Sequence, residues 1–353
     1  MNLARVEKIA DTVLYEGYML YPYRPSSVKN RQRWNFGVLC PQAYCELEPG
    51  SESSFMQTEC LLNADATTRF TVKVRFLQIV QRLVGRIKDV GAGPPYDANP
   101  ELELVARLEI GGHMYQPWQE AVERTLEYVD LDPASLCLSS SMAFGFSGGD
   151  SYESLRDAEQ RVAGLIVRQW RDLRGTVQIS ANRCRENVFR ITVRVDNRSE
   201  FQPAEKGQGS GRDAALLTSL VSTHAILGAE NGEFLSLLDP PAGFEELTAQ
   251  CENKGAWPVL AGDNAAAVLA SPIILYDYPK IAPESAGNLF DATEIDEILS
   301  LRILTLTEQE KSEMRESDDR ARELLERTEN MPEEQFMKLH GALRGLAALK
   351  EGP

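Results

Sequence analysis

Histidine is scarce in this sequence and paired cysteine is missing. The 353-residue chain holds three histidines, His113, His224 and His340, and six cysteines, Cys40, Cys45, Cys60, Cys137, Cys184 and Cys251, with no Cys-x-x-Cys among them. A multi-histidine metal site is hard to build from so few, and zinc and iron–sulfur sites use tighter thiol pairs. A secretory signal is missing too: Arg5, Glu7 and Lys8 interrupt the apolar core that one needs. Long apolar runs are absent. The longest weakly polar stretch, Ala265 to Tyr276, contains Ser271 and Pro272 and is too short to span a bilayer. The expectation is a cytoplasmic protein with reduced thiols and no membrane insertion.

Positive charge is also in short supply. The net charge is −16, which opposes binding to nucleic acid or to anionic lipid, since both require Lys and Arg to neutralise phosphate. The charge is unevenly placed. Residues 284–330 carry fourteen Asp and Glu against six Lys and Arg, whereas residues 1–35 carry six Lys and Arg against three acids. Ends of opposite sign either pair with each other or face different surfaces.

Hydrophobic residues make up 43% and charged residues 25%, enough apolar material for a sizeable core. Residues 11–23 are aromatic-rich and stop at Pro22, which reads as a strand entering a turn; residues 34–40 read as another strand. Strands are also predicted over 56–62 and 68–84, where Phe70, Val72, Val74 and Phe76 alternate with polar residues. Residues 91–100 form a Gly/Pro loop, and 102–108 alternates again. Residues 118–129 fit a helix or a strand. Further strands are predicted over 161–169, 175–181 and 189–195.

After Gly211 the pattern changes. Leu216, Leu217, Leu220, Val221, His224 and Leu227 predict a helix over 213–227, with a core histidine as the default for His224. A short helix over 243–252 and a buried strand over 272–278 follow. Thr307 and Glu310 form a capping box for a mostly solvated helix running to about Thr328, with a narrow stripe of Met314, Ala321, Leu324 and Leu325. A second helix opens at Pro332. Its Phe336, Leu339, Leu343 and Leu346 give it enough apolar face to dock on the body or on a partner.

The predicted class is α+β, mostly β: an antiparallel β-sandwich or curled barrel with a helical C-terminal region. Four segments are expected: a β-rich 1–90, a sandwich-like 100–206, a mixed 213–306 completing the body, and an acidic helical hairpin over 307–353.

Three patterns invite chemistry. Gly145-Phe-Ser147-Gly-Gly149 matches the nucleophile elbow of serine hydrolases, which works by exposing its serine on a strained strand-to-helix turn. Asp239, Asp263, Asp277 and His340 follow in triad order, but the surroundings are antiparallel β and the plainer reading is a Gly-rich hairpin loop. Cys40, Cys45 and Cys60 form a loose thiol group, a metal-handling set or simply separate buried thiols. Gly207-Gln-Gly-Ser-Gly211 resembles a phosphate loop, but no Lys follows and a connector fits better. No cofactor is expected from any of these.

Two surfaces suit a protein partner. Tyr21, Tyr23, Arg24, Arg31, Arg33 and Trp34 mix Arg with aromatics, the side chains that dominate interfaces. Glu284, Asp291, Glu294, Asp296 and Glu297 make an acidic stretch without EF-hand spacing. The arginines of the first surface alternatively pair with the acidic C-terminal end.

Leu14-Tyr-Glu-Gly-Tyr-Met-Leu-Tyr-Pro-Tyr-Arg24 with Lys29-Asn-Arg-Gln-Arg-Trp34 is one familiar stretch. Ser271-Pro-Ile-Ile-Leu-Tyr276-Asp277-Tyr278-Pro279, continuing through Leu289-Phe-Asp291 and Thr293-Glu-Ile-Asp-Glu-Ile-Leu299 to Thr307, is the other and the more specific. Together they resemble a family of bacterial proteins encoded among NiFe-hydrogenase structural and maturation genes. The likeness covers most of the chain and is weakest from about 85 to 160. No active site is assigned in that family, so no functional residue carries over. The resemblance implies a non-enzymatic accessory or assembly protein that binds a hydrogenase subunit or a maturation protein. Tyr276, Asp277 and Tyr278, in the second stretch, complete the candidate partner-binding set. A serine hydrolase using Ser147 and a metal- or cluster-handling protein are the alternatives.

Overall fold

One strand organises the molecule. In the computed structural model, which describes residues 3–25, 27, 30, 33–50, 52–87, 102–137, 140–203, 211–281 and 296–332, β1 (Phe55–Ile87) runs unbroken for 33 residues. The two strands expected over 56–62 and 68–84 are its halves. They are joined by an irregularity at Ala64/Arg69, where the Asp65 carboxylate accepts from the Thr67 N–H at 2.7 Å. A local Asx turn of this kind bends a strand without ending its ladder.

Along one edge, β1 pairs first with β10 (Val188–Asn197), then with β5 (Trp118–Leu131), then with β2 (Leu102–Leu104). Along the other it pairs with β11 (Val221–Leu235) and then with β8 (Val162–Trp170). The sheet continues from β10 through β9 (Leu173–Arg185) to β6 (Ser140–Phe146), and from β11 through β13 (Ala267–Ser271) to β12 (Trp257–Leu260). β7 (Gly149–Arg156) pairs with β8, and a separate hairpin joins β3 (Leu108–Ile110) to β4 (His113–Tyr115). Every ladder between these strands is antiparallel.

Because β1 changes neighbours as it proceeds, the 11-stranded sheet folds over on itself. Phe76 on β1 then meets Phe144 and Phe146 on β6, each with ring centroids 5.9 Å apart. The core between the two halves holds Met56, Phe70, Val72, Phe76, Ile179, Ile191, Val193 and Leu227. The chain is thus a mostly-β sheet protein with sandwich-like strand pairing.

Helices cover the outer face of one half. The helical region near the C-terminus comprises α5 (Asp296–Leu304), α6 (Glu308–Ser317) and α7 (Asp319–Glu329). Leu299, Ile303, Met314, Ala321, Leu324 and Leu325 pack with Leu77, Ile79, Trp118 and Val221 of the sheet and with Tyr18, Tyr23 and Trp34. A first helix, α1 (Ala4–Leu14), lays Val6, Ile9, Ala10 and Val13 on Ile226 and Leu269, and a short α2 (Gln42–Leu47) buries Tyr44. Among the described residues no helix is long and apolar enough to cross a membrane.

This covering explains where the sequence misleads. The helix predicted over 213–227 is in fact a single short helix, α3 (Gly211–Leu216), followed by β11. Every residue from Val221 to Ala229 is buried, with core on one side and α1 or the helical region on the other. A strand buried on both faces has no alternation to read. His224, a core histidine as expected, therefore lies in a strand rather than a helix. The strand predicted over 11–23 is the last turn of α1 and an irregular loop, because burial of Tyr15, Tyr18 and Tyr23 under the helical region overrides their β propensity. Residues 34–40 hold only isolated bridges at Leu39, to Leu220 and Ser53, and 272–278 is an unladdered segment with a bend at each end.

The ambiguous 118–129 is strand β5, and the short helix expected over 243–252 is α4 (Glu245–Ala249). The Thr307–Glu310 capping box is present. The helix it starts ends at Ser317, however, and Asp318 caps a new one by accepting from the Arg320 N–H at 2.8 Å. The narrow stripe of Met314, Ala321, Leu324 and Leu325 is the buried side of these helices. The second predicted C-terminal helix, with Phe336, Leu339, Leu343 and Leu346, lies outside the described residues.

Candidate interaction site

The N-terminal Arg-aromatic stretch and the acidic helices meet inside the molecule. Arg24 pairs with Glu310 at 3.1 Å and Glu313 at 3.8 Å, and the Arg302 guanidinium lies 5.3 Å from the Tyr21 ring. The Tyr18 hydroxyl donates to Asp318 at 2.6 Å, and the Arg320 guanidinium stacks 3.7 Å from the Tyr15 ring. Tyr23, Arg33 and Trp34 are buried. Arg33 donates to the Tyr18 carbonyl at 2.7 Å and to the Gln119 carbonyl, with its guanidinium 3.6 Å from the Trp118 ring and 4.6 Å from the Trp34 ring. Burial pulls its pKa down to about 10, against the pull of Tyr18 and Asp318, and it stays a cation at neutral pH. These contacts fasten the two ends of the chain together. Arg31, Glu284, Asp291 and Glu294 lie outside the described residues, as do the side chains of Asp296 and Glu297, whose backbone opens α5.

Beside this clasp, β5 and β8 face α6 and α7 across a cleft of ≈ 1060 Å³. Its charges satisfy one another. Arg168 holds Glu120 at 2.7 Å and Glu153 at 2.8 Å; Glu316 takes His113 at 2.8 Å and the Met114 N–H at 2.6 Å. Buried Arg82 donates to the Ser317 and Glu316 carbonyls at 2.6 and 3.0 Å, capping the end of α6. No local sequence pattern marks this group as a whole, because its members lie far apart in the chain. The Ser317-Asp318-Asp319 run was the one local signal, as an N-cap pattern marking a second helix start.

The segment after β13 is different. Pro272 packs against Gly37, where a Cβ would come within 2.7 Å of the proline ring and 2.9 Å of the Thr223 nitrogen. Ile273 and Leu275 turn inward onto the α1 core. Asp277 is half-buried and fixes the backbone: its carboxylate accepts from the Leu260 N–H at 2.7 Å and from the Ser236 hydroxyl, while the Tyr278 N–H donates to the Leu260 carbonyl at 2.6 Å. Tyr278 has φ 56, a left-handed conformation costly for a bulky residue, and such outliers gather at functional surfaces. The alternate residues point outward: Ile274 is 76% exposed, Tyr276 87%, and Tyr278 is exposed as well. A pinned backbone carrying an outward row of large apolar side chains has the character of a contact surface. An apolar run of this kind reads as a buried strand in the sequence, and its exposure is a property of the tertiary structure alone.

Ser147 is exposed between β6 and β7, with a strand and no helix after it, so the strand-to-helix elbow is absent. His224 is buried in β11, and His113 is engaged by Glu316. Cys40 and Cys60 are buried and Cys45 half-buried; burial pushes the Cys40 thiol up to about 12 and raises Cys60 and Cys45 as well. Metal ligation needs thiolates, so these environments oppose it. Among the described residues no group of three or more His, Cys, Asp or Glu is placed to hold a metal ion. Compared with protein-family models, with curated proteins and with solved structures, the chain matches none.

Proposed function

We propose that this protein is a non-enzymatic accessory or assembly protein that acts by binding another protein, and that its partner is a NiFe-hydrogenase subunit or maturation protein. One observation carries the binding reading: the outward row of Ile274, Tyr276 and Tyr278 on a backbone held by Asp277. Exposed apolar side chains on a rigid frame lose little conformational entropy when a partner covers them. Tyr276 has the standing of an interface anchor, being aromatic, with a polar tip and almost entirely in solvent. The choice of partner rests on the sequence resemblance, which is most specific in this same stretch.

The test is affinity purification with mass spectrometry from the native host, using the full chain and an Ile274→Asp/Tyr276→Ser variant. The wild-type chain is expected to recover a hydrogenase subunit or a maturation protein, and the variant to lose at least about tenfold of it. Equal recovery by the two chains would remove the surface from the proposal. Recovery of no hydrogenase component by the wild type would remove the partner.

A further inference from the structure

We propose that β6 is a self-association edge, and that the chain forms a two-fold dimer in which β6 of one copy pairs antiparallel with β6 of a second copy. β6 ends its branch of the sheet. It is laddered to β9 on one side, and among the described residues no hydrogen bond reaches its other side. Such an edge presents a row of unpaired N–H and C=O groups, which proteins guard with charge, proline, a bulge or a cover. The other edges show these devices. β7 carries Asp150, Glu153 and Arg156, and β5 carries Glu123, Arg124 and Glu127. β12 holds Pro258, and its Leu260 N–H and C=O are taken by Asp277 and Tyr278. β6 has none of them: it reads Ser-Ser-Met-Ala-Phe-Gly-Phe, and its register with β9 is unbroken from Ser140 to Phe146.

The charge pattern selects the occupant. A row of backbone donors and acceptors matches an extended polypeptide. At a net charge of −16, most surfaces of this chain repel a second copy. Residues 133–149, which contain β6, are the longest stretch without Asp, Glu, Lys or Arg, 17 residues in all. Two copies therefore meet here with no like charges on the paired strands. A foreign peptide fits less well. Peptide-binding edges discriminate through pockets for alternate side chains, whereas the outward residues Ser141, Ala143 and Gly145 are small, uncharged and exposed and cannot select a sequence. A free peptide also loses backbone entropy on pairing, while β6 of a second copy is already ordered by β9.

A two-fold axis at Ala143 sets the register. It places Ala143 against Ala143, Ser141 against Gly145 and Met142 against Phe144. Small residues meet on the outer face, so the two backbones reach ladder distance without a clash. On the inner face the half-buried Met142, Phe144 and Phe146 lose their remaining exposure, and a Met sulfur beside a Phe ring is a favourable pair. Phe144 and Phe146 already pack on Phe76, so they are held in place before the copies meet. Seven residues of edge cover less than a standard interface, and the dimer is expected to form at micromolar concentration.

The test is sedimentation equilibrium of the purified full-length chain. The wild-type mass is expected to rise from one chain towards two between about 1 and 300 μM. Ala143→Lys, at an exposed position, sets two like charges across the axis and is expected to weaken association at least about tenfold, as is Ala143→Glu. An equimolar mixture of the two variants is expected to restore it. Hydrogen exchange in wild-type β6 is expected to slow as concentration rises, while β7 and β12 keep their rates. A wild-type chain that stays single throughout would overturn the proposal, and so would β6 exchange that ignores concentration, whatever the variants do. Association that survives Ala143→Lys, or a mixture of folded variants that fails to recover, would overturn the pairing at Ala143. The Ile274→Asp/Tyr276→Ser variant is expected to associate like the wild type, so this proposal stands or falls separately from the partner proposal.

Discussion

The Tyr18 hydroxyl donates to the Asp318 carboxylate at 2.6 Å, closing a contact between residues 300 apart in the chain. Both groups are buried, and Asp318 has a second duty as the N-cap of α7. Burial and the Asp318 charge raise the Tyr18 phenol well above its ordinary range, so it keeps its proton and donates it at neutral pH. Tyr18→Phe leaves a buried carboxylate oxygen short of a partner and is expected to cost roughly 1–3 kcal/mol. Asp318→Ala removes the cap as well and is expected to cost roughly 2–4 kcal/mol. Urea unfolding of the two single variants and the double variant checks this. The double is expected to cost less than the sum, because each single change strands the other group.

What the sequence made legible follows from how local each signal is. The capping box at Thr307 is settled by four residues and a hydrogen-bonded ring, and it reads correctly. The alternation of Phe189, Ile191, Val193 and Val195 reads correctly because the other face of β10 carries Arg190, Thr192 and Arg194. β11 fails for the opposite reason: its two faces are covered, and Leu220, Val221, His224 and Leu227 happen to match a helical period. The charge separation of the two ends pointed to the Arg24 pairs with Glu310 and Glu313. The apolar run at Ile273 to Tyr276 gave no sign that half of it faces outward, because solvent exposure depends on what the rest of the chain does not cover.

Arg33 is the hinge pin of the clasp. Its guanidinium lies within 6 Å of three rings, Trp118, Trp34 and Tyr18, and donates to two carbonyls. Lysine has neither the planar face for stacking nor the forked donors, so Arg33→Lys is not a conservative change here. Arg33→Lys is expected to cost about 2 kcal/mol and Arg33→Ala about 3–5 kcal/mol, the latter stranding buried carbonyls and the Asp318 charge. Chemical unfolding gives the values. Near-ultraviolet circular dichroism is expected to change with them, since Trp34 and Trp118 lose their common neighbour. A stable Arg33→Ala chain with an unchanged aromatic spectrum would refute the role.

The thiols offer a chemical check on packing. Burial pushes Cys40 up to about 12 and raises Cys60 too, and each side chain is closed to solvent. The thiolate is the reactive form. At pH 8 the native Cys40 thiol is expected to react with iodoacetamide at least about a thousandfold more slowly than a free thiol, and Cys60 more slowly still. Both are expected to react freely in urea. Peptide mapping after timed alkylation reads each site separately, and rapid labelling of either one in the native chain would contradict the burial described for it.

His224 sets an acid limit on the fold. Its imidazole is fully buried, with Nδ1 2.8 Å from the Ser222 carbonyl and no partner at Nε2 among the described residues. Burial lowers its pKa to about 4, with the nearby Arg75 charge acting in the same direction and the Ser222 carbonyl and Glu123 opposing it. Between that value and the ordinary 6.5, the unfolded chain holds a proton that the native chain refuses. Stability therefore rises with pH across this window and is lost as pH falls through it, by about 3 kcal/mol in total at 1.36 kcal/mol per pKa unit. Glu123 adds to the loss at the lower end. Burial works to raise its carboxyl, but the Tyr15 hydrogen bond, Arg75 and Arg320 together hold it below the usual range, so its contribution disappears only below about pH 4.5. The expected outcome is a urea midpoint that climbs from pH 4 to pH 6.5 in the wild type and climbs much less in His224→Leu, whose residual slope reports Glu123 and the other paired carboxylates. A wild-type midpoint that stays flat over this range would show that the imidazole takes up its proton without unfolding the sheet, and that β11 is more accessible to water than its packing allows.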